Sequence, residues 1–181
     1  MGMKVIAIEG CHGSGKSKLA QSLSKELNVE LFKHTGPRKS ASIFEAAMWY
    51  GVQRATLYSK HHDRVIVADR WHWSTTVVAR ALYSPDSREY RALMDLANAE
   101  RLMYPDPILT LVCEAPWDVC RERVLARGEA WTMREMAERV EIADLAHYRS
   151  WPVLNTAGDH ETVVAAAVQL SRGTILKSEK A

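Results

Sequence analysis

The sequence predicts an α/β fold in which a five-stranded parallel sheet is covered by helices on both faces. Short apolar runs alternate with longer segments whose apolar residues recur with helical period, as is typical of parallel βαβ units. Neither repeats nor low-complexity tracts interrupt this alternation before a short polar stretch at the C-terminus. The length of 181 residues suits one domain and not two. We therefore expect a single domain over residues 1–175 and a polar tail over 176–181.

The individual elements are predicted, in chain order, from the two patterns just described: short apolar runs for strands and longer segments of helical period for helices. Each predicted strand is a short run dominated by apolar side chains, and each helix is a longer amphipathic segment that fills an interval between strands. The predicted strands are Lys4–Glu9, Val29–Lys33, Arg64–Asp69, Ile108–Cys113 and Trp151–Asn155. The predicted helices are Lys16–Leu27, Ala41–Ser59, Trp73–Leu82, Ser87–Leu102, Trp117–Arg127, Met133–Arg149 and His160–Ser171. Ligands of such sheets bind beyond the carboxyl ends of the strands, so residues at those ends are the candidate functional residues.

A glycine-rich loop follows the first strand and is the most specific motif of the chain. Residues 10–17 fill every fixed position of the pattern G-x-x-x-x-G-K-[ST]. Its glycines let backbone N–H groups point at phosphates, and the next helix adds its positive N-terminal end. We expect ATP to be bound by Gly10, His12, Gly13, Ser14, Gly15, Lys16 and Ser17. Lys16 is predicted to reach the β- and γ-phosphates and Ser17 to ligate Mg²⁺, whereas the competing interpretation is a merely flexible turn.

Composition excludes several other classes of protein. The 24 basic and 22 acidic residues give a formal net charge of +2, so bulk charge predicts neither a nucleic-acid nor a membrane partner. The three cysteines lack zinc-ligand spacing and a disulfide pattern, which favours a cytoplasmic location. No cleavable apolar leader and no apolar stretch of membrane-spanning length are expected.

The third predicted strand delivers Asp69-Arg70-Trp71 to the edge of the sheet that also holds the phosphate loop. With Ser74, Gln53-Arg54 and Pro105-Asp106-Pro107, this pattern resembles the thymidylate kinase and deoxynucleoside kinase superfamily. The resemblance implies a three-layer P-loop NTPase fold with a short arginine-rich lid at about residues 127–134. It also implies that Arg70 holds phosphoryl groups, that Asp69 lies near Mg²⁺ and that Arg54 contacts the acceptor. The alternative for Asp69 is an N-cap of the following helix.

Arginines around Gly128 are candidates for stabilising the transferred phosphoryl group, because phosphoryl transfer needs positive charge on the equatorial oxygens. Arg123 and Arg127 lie one turn apart on one helix face and are therefore the predicted catalytic lid residues. Ion pairing on a solvated helix face is the competing interpretation. The Asp-Arg-x-Glu sequence that the superfamily often has here is absent, so the resemblance does not identify the acting arginine.

The acceptor is predicted from the end of the second strand, which carries Lys33 and Arg38 and no carboxylate. A hydroxyl acceptor benefits from a general base, whereas a nucleoside monophosphate needs cations to offset its charge. Residues predicted to contact the acceptor are Glu9, Lys33, Arg38, Arg54, Arg70 and Trp71, although core packing is the favoured role for any single tryptophan. The thymine-reading glutamine of thymidylate kinases is missing, and His12 replaces their loop aspartate, so the base is left open.

These observations lead to the hypothesis of a Mg-ATP-dependent kinase that phosphorylates a deoxynucleoside monophosphate. A nucleoside kinase acting on a sugar hydroxyl, with Asp69 or Glu9 as base, is the first alternative. A kinase acting on a modified base in DNA is another, and it is the only role foreseen for nucleic acid. A nucleotide-dependent switch or NTPase without a small-molecule acceptor is the alternative from a different class. The resemblance is compatible with a homodimer.

Overall fold

A computed structural model describes residues 2–36, 41–61 and 63–180, and it confirms the predicted fold class. Five strands alternate with helices, and nearly every predicted element lies where the sequence places it. The strands are β1 (Lys4–Glu9), β2 (Glu30–Lys33), β3 (Val65–Asp69), β4 (Leu109–Glu114) and β5 (Val153–Asn155). The helices are α1 (Lys16–Leu27), α2 (Ile43–Lys60), α3 (Trp73–Leu82), α4 (Arg88–Met103), α5 (Trp117–Leu125), α6 (Met133–Arg149) and α7 (His160–Glu179).

The sheet has the strand order β2-β3-β1-β4-β5, and all its pairings are parallel. The register places Ile8 of β1 beside Asp69 of β3 on one side and beside Leu111 of β4 on the other. The strand order changes direction at β1, because β2 and β3 lie on one side of it and β4 and β5 on the other. This change opens a crevice at the carboxyl ends of the strands. The loop after β1 and the residues after β3 therefore meet at one edge of the sheet.

Alternation along the central strands creates two apolar layers, one on each face of the sheet. On one face, Ile6 and Ile8 pack against Leu19 of α1 and Ala167 of α7. On the other face, the core contains Val5 and Ala7 of β1, together with Met3, Leu57, Ile66, Ala68, Trp71 and Tyr104. The period of two in β1 thus determines which helices cover which face.

The bounds of the elements lie within two residues of the predicted ones, except for the end of α7. Helix α7 continues from the predicted end at Ser171 to Glu179, and Lys4 Nζ donates to Ser178 O at 3.2 Å, which ties the last turn to the start of β1. Helix α5 ends at Leu125, and the chain turns at Gly128, whose φ is 72°. Among the described residues, no helix is both long and apolar enough to cross a membrane.

Candidate functional site

The phosphate loop has a backbone conformation that depends on its glycines. Gly13 and Gly15 have φ values of 77° and 85°, in the left-handed region that favours glycine. A Cβ on Gly13 would also collide with the backbone carbonyl of Cys120 in α5. Gly15 is the N-cap of α1, and no side chain caps this helix end. The first N–H groups of α1 are therefore available to an anion.

Lys16 lies at the start of α1 and turns back over the loop, where its Nζ donates to Cys11 O at 3.3 Å. Burial, followed by repulsion from Arg70, lowers the pKa of Lys16 to about 8. A phosphate group beside Nζ would favour the charged form and raise the pKa again. The lysine is thus placed to gain from binding a polyanion.

Asp69 is the last residue of β3 and is 8% exposed. Its Oδ1 is buried and has no hydrogen-bond partner among the described residues. A buried carboxylate oxygen without a partner, at the sheet edge that also carries the phosphate loop, fits a hard divalent cation such as Mg²⁺. Within the described ranges no cluster of three or more His, Cys, Asp or Glu side chains could hold a metal. Mg²⁺ would therefore depend on phosphate and water oxygens for its remaining ligands.

Arg70 follows β3 with a φ of 72°, and its N–H donates to Ile8 O at 3.0 Å. Its Nη2 lies 3.6 Å from Oε2 of Glu138, a carboxylate of α6 that is 1% exposed. The other oxygen of Glu138 accepts from Arg134 Nε at 2.7 Å. Burial opposes ionisation of Glu138, but Arg70 and Arg134 outweigh it and lower its pKa. One carboxylate therefore positions two guanidinium groups.

Glu9 ends β1 and lies behind this turn. It accepts from the N–H of Trp71 at 2.9 Å and from the hydroxyl of Ser74 at 3.0 Å. Burial raises the pKa of Glu9, while Arg70 and Lys16 oppose the rise. Glu9 is 2% exposed and lines neither nucleotide-sized cavity, so its predicted contact with the acceptor gains no support from this geometry and stays a prediction. Glu9 acts on the site through the turn that it holds.

Trp71 is completely buried, so its side chain belongs to the core, and its predicted contact with the acceptor stays a prediction that this burial does not favour. Its ring packs against Phe32 and Tyr104, and its Nε1 donates to Pro105 O at 3.3 Å. The positive φ of Arg70 sends the chain inward at this point, which gives the indole a core position.

A cavity of about 570 Å³ opens beside Lys16 and Arg70 and extends toward β2 and α2. Apolar side chains of α2 and α3, including Ile43, Ala47 and Val78, line one part of it. Charged side chains line the rest: Lys16, Lys33, Arg54, Asp69, Arg70, Arg134, Glu135 and Glu138. Its volume and mixed lining suit a nucleotide-sized acceptor.

Arg54 lies in the wall of this cavity but is 1% exposed. One guanidinium nitrogen pairs with Glu100, which also accepts from Thr75 Oγ1 at 3.0 Å. Another lies 3.0 Å from Nε2 of His34. Burial, then Arg54, lowers the pKa of His34 to about 3, so this imidazole is neutral. The charge of Arg54 is therefore already offset, and it is less available than Lys33 for an acceptor phosphate.

A second cavity, of about 540 Å³, lies on the other side of the phosphate loop. Lys16 and Ser17 line its inner part, and Arg123 and Arg127 line its outer part. Arg123 donates to Gly13 O at 3.2 Å and to Thr156 O at 3.0 Å, so it braces the loop from α5. This position suits the donor nucleotide.

Arg127 is half-exposed and pairs with Glu129 at 3.1 Å. The same carboxylate oxygen lies 3.7 Å from Nδ1 of His12. Neither Arg123 nor Arg127 lines the acceptor cavity, whereas Arg134 does. Arg38 of the predicted acceptor side lies outside the described residues.

Comparison with known families and structures places this geometry in context. The chain matches the family described as AAA domain over residues 5–151, which is most of its length. The chain belongs to the AAA domain family. A comparison of this AAA domain with curated proteins gave no match.

Solved structures with similar folds include two kinds of kinase. One is deoxyadenosine kinase from M. mycoides with the products dCMP and a flexible dCDP bound, which has a TM-score of 0.76 and 16% identity. That match covers 93% of this AAA domain and 98% of the other chain. Another is thymidylate kinase from Ehrlichia chaffeensis, with a TM-score of 0.61, 14% identity and coverage of 95% and 99%, respectively. At these identities the likeness is one of fold, and it agrees with the predicted fold class.

Glu138 of this AAA domain was not predicted from the sequence, and Arg134 was among the arginines around Gly128 but was not chosen as a catalytic residue. Glu138 and Arg134 lie four residues apart on α6, a spacing that reads equally well as an exposed helical ion pair. Only the packing of α6 against α3 brings Glu138 to Arg70. The sequence signal that could have indicated Glu138 was an acidic residue in the helix just after the predicted lid.

Proposed function

We propose that this protein is a Mg-ATP-dependent kinase that phosphorylates a deoxynucleoside monophosphate. The observation that carries the proposal is the acceptor cavity, where Lys33, Arg70 and Arg134 lie in the wall beside Lys16 of the phosphate loop. A monophosphate brings about two negative charges, which these cations would offset. The folds of a deoxyadenosine kinase and a thymidylate kinase support the same reaction class.

In this proposal the two cavities hold the two substrates on either side of Lys16. ATP would lie with its phosphates on the loop and its nucleoside in the cavity lined by Arg123 and Arg127. The acceptor would occupy the cavity lined by Lys33 and Arg70, so that its phosphate approaches the γ-phosphate. Since the transfer requires little covalent chemistry, holding the two groups in line and offsetting charge are the main tasks of the protein.

The cations have different proposed roles. Lys16 would follow the β- and γ-phosphates, and Arg70 would bridge donor and acceptor oxygens while Glu138 holds its guanidinium in place. Arg123 would support the donor phosphates indirectly by fixing the carbonyl of Gly13. Arg127 would have to leave Glu129 before it could reach a phosphate, so its predicted catalytic role is a proposal that requires lid movement.

Mg²⁺ would be held by Ser17 Oγ and the buried Oδ1 of Asp69. When bound, it would neutralise charge on the β- and γ-phosphate oxygens. The cytoplasm is the proposed location, because all three cysteines are free and a reducing compartment keeps thiols in that state.

A nucleoside kinase is the second candidate, and one observation favours it. Asp69 Oδ1 is unpartnered and Asp69 lines the acceptor cavity, so it could accept a proton from a sugar hydroxyl. His34, which follows β2, is not free to take this role, since its Nε2 already interacts with Arg54. The monophosphate is preferred because the hydroxyl reaction brings no anion to Lys33 in the wall of the acceptor cavity.

The test is an ADP-release assay with Mg-ATP against a panel of deoxynucleoside monophosphates and nucleosides. Stimulation by one monophosphate, lost in Lys16→Ala and in Arg70→Ala, is expected. Stimulation only by a nucleoside would transfer the assignment to the second candidate. Steady ATP hydrolysis that no acceptor accelerates would contradict both.

A further inference from the structure

A third cavity, of about 520 Å³, lies between α6 and the edge formed by β4 and β5. It shares no lining residue with the two proposed nucleotide cavities. Its apolar lining comes from Val112, Ile142, Ala143, Ala146 and Trp151. The volume is in the range of small-molecule sites, and the apolar wall would favour a ring or a short aliphatic body. Nothing in the proposed reaction uses this space.

Arg139 supplies the main polar group of this cavity. Its Nη2 lies 3.1 Å from Oε1 of Glu114. Its Nη1 is buried and has no hydrogen-bond partner in the part of the chain that the structure describes. A buried guanidinium donor without an acceptor is unfavourable, and an oxyanion is its strongest partner. The Arg139 side chain as a whole is 26% exposed, so the cavity combines an apolar wall with one accessible guanidinium group.

The cavity also contacts the phosphate loop, because Cys11 belongs to that loop and lines the cavity. Cys11 is buried, lines the cavity, and packs with Ala115 and Cys120. Its backbone carbonyl accepts the hydrogen bond from Lys16 Nζ. A molecule that presses on the Cys11 side chain would shift the carbonyl that positions Lys16.

We infer that this cavity is an effector site for a small apolar molecule bearing one oxyanion, and that its occupant changes nucleotide affinity through Cys11. Arg139 binds the oxyanion, while Ile142, Ala146 and Trp151 contact the apolar body. The oxyanion can be a carboxylate or a phosphate monoester, and the two are separated by experiment. The claim that an anion binds at this site does not rest on the proposed kinase reaction, and the effector role requires only that the protein binds ATP.

Binding is tested by calorimetry with indole-3-acetate, with its neutral amide and with 1-naphthyl phosphate. At least one anion should bind with a stoichiometry of one, and indole-3-acetate, if it is that anion, should bind at least tenfold more tightly than its amide. Ala143→Trp places an indole over the cavity from an exposed position and should abolish binding. Val140→Trp is the matched control, because it adds the same ring to an exposed position of α6 outside the cavity.

Two further variants separate anion binding from a structural role of Arg139. Arg139→Met should weaken binding at least tenfold, whereas Glu114→Gln breaks the same ion pair but leaves the guanidinium free and should not weaken it. Equal losses in both variants would overturn the assignment, as would unchanged binding in Ala143→Trp or no saturable binding of either anion. The effector role requires that a saturating anion change the dissociation constant of ATP at least threefold, with the reciprocal change in anion affinity. A dissociation constant of ATP that the anion leaves unchanged would refute that role. An absence of ATP binding would be a separate result, and it would count against the proposed function.

Discussion

Replacing Glu138 by glutamine removes the charge that positions two arginines while keeping the shape of the side chain. The amide oxygen can still accept from Arg134 Nε, which lies 2.7 Å from the carboxylate. The amide nitrogen then faces Arg70 and presents a donor to a donor. The contact with Arg70, at 3.6 Å, is an ion pair, and Glu138 is 1% exposed, so solvent screens little of the charge that is removed. An interaction with a charged group contributes about 1.5–3 kcal/mol, and we expect a loss of that size in the free energy of unfolding.

The catalytic consequence should be larger than the effect on nucleotide binding. The guanidinium of Arg70 would no longer be held in place, so kcat should fall about 10–100-fold. Each factor of ten in rate corresponds to about 1.4 kcal/mol of activation free energy. The KM for ATP should change little, because the donor cavity is not lined by Glu138. Denaturant unfolding and steady-state kinetics of Glu138→Gln measure both effects. Glu141→Gln is the control, since it makes the same change on α6 at a residue for which no ion pair is found among the described residues. Equal kcat values for the two variants would refute the reasoning.

Three other predictions concern the phosphate loop. Gly13→Ala should abolish ATP binding because its Cβ would collide with Cys120, whereas Gly173→Ala, in open space on α7, should be neutral or slightly stabilising by thermal unfolding. The pKa of Lys16 is lowered to about 8 in the free protein, so ATP affinity should fall as pH rises from about 8, and binding above that pH should take up a proton. Calorimetry in buffers of different ionisation enthalpy measures this uptake, and proton release would contradict it. Arg123→Lys should raise the KM for ATP about tenfold with little change in the acceptor KM, because the lysine cannot span two carbonyls. An effect on the acceptor KM alone would mean that Arg123 does not brace the loop.

Local patterns were sufficient for the fold and for the phosphate loop. The spacing of Gly10, Gly13, Gly15 and Lys16 fixes a backbone conformation within eight residues, so no distant contact was needed to predict it. Strand and helix positions followed from periods of two and 3.6 in the same way. The extra turns of α7 beyond Ser171 were missed because the stretch is polar, and its stabilising contact with Lys4 comes from the other end of the chain.

Side-chain roles at the acceptor side depend on tertiary packing and were less predictable. Trp71 adjoins the site in sequence, yet the backbone turn at Arg70 directs it into the core. Arg54 was predicted to contact the acceptor, but it pairs with Glu100, which is 46 residues away in the sequence. Glu138 is 68 residues from Arg70 and was not anticipated at all. Pairings of this kind follow from how helices dock, which no local pattern encodes.

The most direct test of the account is ³¹P NMR of the protein with Mg-ATP and each of the four deoxynucleoside monophosphates. The account predicts that the γ-phosphate resonance of ATP is replaced by the resonances of ADP and of one deoxynucleoside diphosphate, in equal amounts. The same spectra should not change with Lys16→Ala. Formation of ADP and inorganic phosphate, with every monophosphate intact, would contradict phosphoryl transfer to this acceptor class.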